Sequence, residues 1–166
     1  MLFRSGGVTL GVGVRVLSGE RTGYAYSDDL SPEKIRKAAR TAACIARGPA
    51  TIFKTGFEEA RRHDLYPMLQ SPNELDLAER VELIKRADRA ARAYDSRIFQ
   101  VQASYADNLR QVMVATSEGR LSFDRQPMAR LNVVAFARQG DGPPQHGHAG
   151  GGGRVTLDFF LSEKTP

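Results

Sequence analysis

The sequence predicts an α+β fold: an antiparallel, meander-rich sheet with two helices packed on one face. Three observations lead there. Runs of alternating, β-branched residues occur in groups. Two longer stretches with helical spacing fall between those groups instead of alternating with single strands. Turn residues join successive strand runs over a few positions, as in a meander. With 166 residues, 41% of them hydrophobic and 26% charged, the chain suits one sizeable core and is read as a single domain over residues 1–166.

The first group is a hairpin. "VTLGVGVRVL" (Val8 to Leu17) and "TGYAYS" (Thr22 to Ser27) flank a tight "SGE" turn. Alternation puts Val12, Val14 and Val16 on one face. A helix follows with both ends marked. Ser31 is the expected N-cap and Pro32 the first helical residue. Leu30 and Ile35 are spaced as a hydrophobic staple. Ile35, Ala38, Ala39, Ala42 and Ile45 form its apolar stripe, and Gly48 with Pro49 ends it. Residues 50–73 are irregular, with a short strand expected near Thr51 to Phe53. A second helix runs from Leu75 or Asp76 to Tyr94, its stripe being Leu77, Val81, Ile84, Ala87 and Ala91. Glu82 and Arg86 stand in the favourable i, i+4 order for an ion pair.

The remainder reads as strands. "IFQVQASYAD" places Phe99, Val101, Ala103 and Tyr105 on one face, and a turn is expected near Asn108 before "RQVMVATSEG". Ser117-Glu118-Gly119 is the next turn, and "RLSFDRQ" and "ARLNVVAFAR" follow. A loop over Gln139 to Gly153 then leads to a last strand, "RVTLDFF".

Composition narrows the function. The net charge of +5 is spread along candidate helices and strands, which reads as a solvated surface. There is no Lys-rich patch, recognition-helix signature or RNP-like motif, which argues against nucleic acid as a partner. Cys44 is the only cysteine, which rules out a disulfide within the chain and suits a reducing cytoplasm. Its neighbours Ala42, Ala43 and Ile45 suggest a small buried residue. No apolar run is long enough to span a membrane.

Several residues invite a chemical reading. His146 and His148 could share a metal if they lay on a strand, but two ligands are too few for a structural zinc, and a solvated mobile loop is the plainer reading. Gly150 to Gly153 lack the Gly-Lys-Ser/Thr of a phosphate loop, and Arg154 opens a strand instead of a helix. Asp124 and Arg125 read as a structural pair or a turn group without a catalytic role, Asp28 and Asp29 as helix-capping carboxylates, and His63 as an exposed loop residue.

Certain segments are familiar in combination. "GVGVRVLSGERTGYAYSDDLS" and "ATSEGRLSFDRQPMARLNVVAFARQGDG...GGGRVTLDFF" resemble, in order and spacing, segments of the TldD/PmbA family, and more closely its TldD branch. The carriers are the Gly-Val-Gly-Val-Arg run, the "DRQP" of Asp124, Arg125 and Pro127, and the glycines with Arg154. The resemblance implies a cytoplasmic zinc metallopeptidase, historically a modulator of DNA gyrase. It implies unfolded peptide as substrate and either a TldE/PmbA-like partner subunit or self-association. It also implies a metal held by a His-Glu-x-x-x-His helix and a distant cysteine. This sequence has no His-Glu pair. The chain is therefore expected to be an N-terminal portion, truncated at both ends, without the catalytic C-terminal domain, inactive alone and binding no metal. By the same resemblance Gly150, Gly151, Gly152, Gly153 and Arg154 lie near the peptide cleft; pairing of backbone amides there with an extended peptide, by strand addition, is a separate expectation from the chemistry of glycine-rich backbone. The alternative is a non-catalytic basic module that binds nucleic acid or a protein.

Overall fold

Gly19 and Glu20 form the two-residue turn of the first hairpin, Gly19 in the left-handed conformation at φ 59°. The structure is a computed structural model describing residues 3–47, 56–60, 65–68 and 70–162. The chain divides into two compact units, Met1–Lys54 and Thr55–Pro166. The α+β class holds, with one helix packed on each of two sheets instead of both on a single sheet.

In the first unit β1 (Val12–Ser18) pairs antiparallel with β2 (Arg21–Ser27). Val12, Val14 and Val16 share the more buried face, as alternation predicts. The helix α1 (Pro32–Ile45) packs there through Ala38, Ala42 and Ala43. Gly23 makes this close packing possible: a Cβ at that position would collide with the Ala42 carbonyl and lie 2.8 Å from the Ala46 nitrogen. Ser31 is the N-cap, but its side chain makes no cap bond. Asp29 accepts from the Ser31 N–H at 2.8 Å instead, which holds its carboxyl below the usual range. Two expectations change. Cys44 is exposed, and so is Ile45, because the approach to Gly23 turns Ala42, Ala43 and Ala46 inward. The helix ends at Ala46, with Arg47 left-handed at φ 51°. Gly48, Pro49, the strand expected near Thr51 to Phe53 and His63 lie outside the described residues.

The second unit is built on two long strands. β4 (Ile98–Ala115) and β5 (Arg120–Ala137) form an antiparallel hairpin of eighteen residues each. The turn expected near Asn108 is absent: Asn108 pairs with Met128 in unbroken register. Val101, Ala103, Tyr105, Asp107 and Leu109 keep to the inner face throughout, so the period of two carries the strand through a polar stretch. A register shift between Ile98 and Gln100 takes Phe99 out of that series, and it is half exposed. β3 (Glu58–Glu59) runs parallel to the start of β5, and β6 (Gln145–Gly153) antiparallel to its end. Between those two pairings lies Pro127, buried, where among the described residues β5 is bonded along one side only; a residue without an N–H is tolerated there.

The helix α2 (Leu77–Tyr94) packs mainly on β4, with Asp76 as its N-cap accepting from Ala78. Leu83 is its most buried side chain; Val81, Ile84, Ala87 and Ala91 of the expected stripe are partly buried beside it, and only Leu77 of that stripe is exposed. Leu83, Leu75, Ala129, Leu157 and Phe160 make the core, with Tyr105, Leu131 and Val155 against it. The expected last strand is instead a short helix, α3 (Asp158–Leu161), which places Phe160 edge-on to Tyr105 at 5.9 Å. Arg86 donates to the Phe160 carbonyl, so the expected Glu82–Arg86 pair does not form; Glu82 pairs with Arg89. No described helix is long and apolar enough to cross a membrane.

Candidate functional site

The stretch expected to be a loop, Gln145 to Gly153, is the strand β6. It hydrogen-bonds to β5 along one side, from Ala129↔Gly153 to Ala137↔Gln145. Among the described residues no strand pairs with its other side. All nine of its residues are exposed. An unpaired strand edge presents a row of N–H and C=O groups ready for another strand.

The pleat divides β6 into two faces. Gly147, Ala149, Gly151 and Gly153 stand opposite Ala135, Val133, Leu131 and Ala129, on the core side of the sheet. His146, His148, Gly150 and Gly152 stand opposite Phe136, Val134, Asn132 and Arg130, on the outer side. The four consecutive glycines are not equivalent. A Cβ on Gly150 would lie 2.7 Å from the Leu131 carbonyl oxygen and the same distance from Asn132 Oδ1. On Gly152 it would overlap the Ala129 carbonyl and lie 2.8 Å from Arg130 Cα. Around Gly147, Gly151 and Gly153 the space is open. The outward glycines thus let β6 lie tightly on β5, while the inward ones leave the core-side surface bare.

The histidines lie on an ordered strand, on one face, as i and i+2 residues do. His146 lies tilted beside the ring of Phe136 at 5.9 Å. Arg154 follows the strand with its guanidinium 5.9 Å from the Tyr66 ring centroid. Asp124 accepts from Gln126, and no ion pair with Arg125 is seen among the described residues.

A polar cluster joins α2 to β4. Arg80 of α2 bonds Asp107 of β4 at 2.9 Å with both side chains mostly buried. The same guanidinium donates to the carbonyls of Leu75 and Pro72. The Tyr105 hydroxyl is buried near Asp107 but makes no hydrogen bond of normal geometry. Burial first, and the Asp107 charge second, push its ionisation well above the usual range. The sequence did hold a signal for this cluster. An aspartate at an inward position of an alternating strand needs a buried cation, and Arg80 supplies it.

Family models match the chain twice, the PmbA/TldA metallopeptidase central domain over residues 70–164 and domain 1 over residues 5–46. The chain belongs to the PmbA/TldD family. The two matched stretches fall one in each unit of the fold. Among curated PmbA/TldD relatives, the Metalloprotease TldD homolog of Haemophilus influenzae is 32% identical over 153 residues, covering 91% of this chain and 32% of the relative. The Metalloprotease TldD homolog of Buchnera aphidicola subsp. Schizaphis graminum is 29% identical, covering 92% of this chain and 32% of its own length. The chain spans about a third of the length of these relatives. The crystal structure of TldE from Thermococcus kodakarensis superposes with a TM-score of 0.56 at 19% identity, over 89% of this chain and 34% of that one. That likeness shows the PmbA/TldD fold.

The family's metallopeptidase name implies a metal in intact members. The described residues do not fit one. No three His, Cys, Asp or Glu side chains converge among them, and His146 with His148 fall short of the three protein ligands of a catalytic zinc site. What this part of a PmbA/TldD protein offers chemically is backbone: a nine-residue edge about 30 Å long.

Proposed function

We propose that this chain is the peptide-holding portion of a TldD-like zinc metallopeptidase that acts on unfolded peptides. β6 receives the substrate as an added strand, and Gly150, Gly151, Gly152, Gly153 and Arg154 mark the end of that edge nearest α3. The zinc belongs to residues outside this chain. The chain works in the cytoplasm, together with a TldE/PmbA-like subunit or with copies of itself. The observation that carries the reading is the side-chain-poor edge of β6, unpaired among the described residues. Main-chain hydrogen bonds supply the affinity of an added strand and need only an extended, unfolded segment, while the side chains that flank the edge set any preference among such segments.

The decisive measurement is fluorescence anisotropy with a labelled unstructured peptide and the same peptide N-methylated at alternate residues. The plain peptide is expected to bind. The methylated one, lacking N–H donors along one side, is expected to lose binding. Equal binding of the two would reject strand addition. Incubation of the chain with zinc and peptide should leave the peptide intact by mass spectrometry; cleavage products would place a metal site within this chain.

A further inference from the structure

The two faces of β6 differ in chemistry, and the difference bears on which peptides the edge accepts. On the core side Gly147, Ala149, Gly151 and Gly153 form a row almost without side chains beside Leu131, Val133 and Ala135. Open space surrounds its three glycines. A glycine in one strand leaves room that a large cross-strand neighbour can cover. The outer side is different. From Met128 to Phe136 the outward positions of β5, with their partners on β4 and β6, include Arg130, His146 and His148 and no carboxylate. Arg130 donates to Asn132 Oδ1 at 2.9 Å and has no acidic partner among the described residues.

We propose that the β6 edge selects an extended peptide whose side chains alternate between acidic and large apolar or aromatic residues. The inference rests on the strand-addition reading above. In an added strand, successive side chains point to opposite faces. The large ones lie over the glycine row and against the apolar inner face of β5. The acidic ones meet the Arg130 guanidinium and the imidazole N–H donors of His146 and His148, as charge-assisted hydrogen bonds. A one-residue slip exchanges the faces and forfeits both sets of contacts.

The test uses anisotropy on the full chain with four labelled hexapeptides. One alternates Glu and Tyr; one has Lys for each Glu; one has Ser for each Tyr; one holds three Glu followed by three Tyr. The alternating Glu–Tyr peptide should bind about tenfold tighter than each of the others, the sum of several cross-strand pairs. Gly151→Val, whose side chain enters open space, should remove the advantage over the Ser peptide, and Gly147→Val should do the same. Arg130→Gln should remove the advantage over the Lys peptide. Equal binding of all four overturns the proposed selectivity and leaves strand addition standing. If none binds, strand addition itself fails, and the selectivity with it.

Discussion

Two neighbouring glycines carry opposite consequences. Gly152 has no room for a Cβ, because the Ala129 carbonyl and Arg130 Cα stand against it, whereas Gly151 faces open space. Gly152→Ala should therefore cost about 1–3 kcal/mol as an overpacked contact. Gly151→Ala should stay within about 0.5 kcal/mol of the parent. Urea denaturation of both variants checks this, and equal effects would contradict the described pairing of β5 and β6. Asp95 makes a pH-dependent prediction. It follows α2, and hydrogen bonds first from the Arg97 side chain and then from its backbone N–H hold its carboxyl down at about 2, against an ordinary 3.8. A folded-state value below the unfolded one adds stability that is complete above the ordinary value and is lost as pH falls toward 2. Asp95→Asn should flatten that part of the acid limb when urea midpoints are compared from neutral pH down to about 2. Equal acid limbs would show that the bonds do not persist in solution.

Among the elements, α2 is tied to the sheet by Arg80 as well as by Leu83. Arg80 joins Asp107 on β4 to the carbonyls of Pro72 and Leu75. Removing one partner leaves the other polar groups half-buried without compensation, so Arg80→Ala should cost about 2–4 kcal/mol by chemical denaturation. Arg80→Ala with Asp107→Ala should cost less than the sum of the two single changes, because each already breaks the pair. Much of the element plan was legible in the sequence. Ser31-Pro32 marked the start of α1, the valine alternation marked β1, and Ser117-Glu118-Gly119 marked the turn between β4 and β5. The errors share a cause. Polar residues inside β4 looked like a turn at Asn108, and glycines in β6 looked like a loop, because local composition does not register pairing with a distant strand. Ile45 and Cys44 were misplaced for a related reason. The buried side of α1 is chosen by the close approach of Gly23, which periodicity alone does not reveal. The glycine–arginine stretch stood out in the sequence, but its division into a bare face and a histidine face depends on register with β5.

At the scale of the molecule, each unit has its own packed centre: the alanine face of α1 on the hairpin, and the cluster around Leu83, Leu157 and Phe160. Gly23→Ala should therefore speed hydrogen exchange in residues 12–46 while leaving the slowest amides of β4 and β5 unchanged; an equal rise in both would indicate a single cooperative unit. Within the second unit, β5 is the strand to which β3, β4 and β6 all bond. That arrangement implies an order of assembly. The β4–β5 hairpin closes a short loop, and β6 returns after a modest connection, so both pairings form at small entropic cost. The parallel pairing of Glu58 and Glu59 with Arg120 and Leu121 joins residues far apart in sequence and has to wait for a finished β5. In a refolding experiment by pulsed exchange, amides of β4 and β5 should gain protection first, β6 next, and those of Glu58 and Ala60 last.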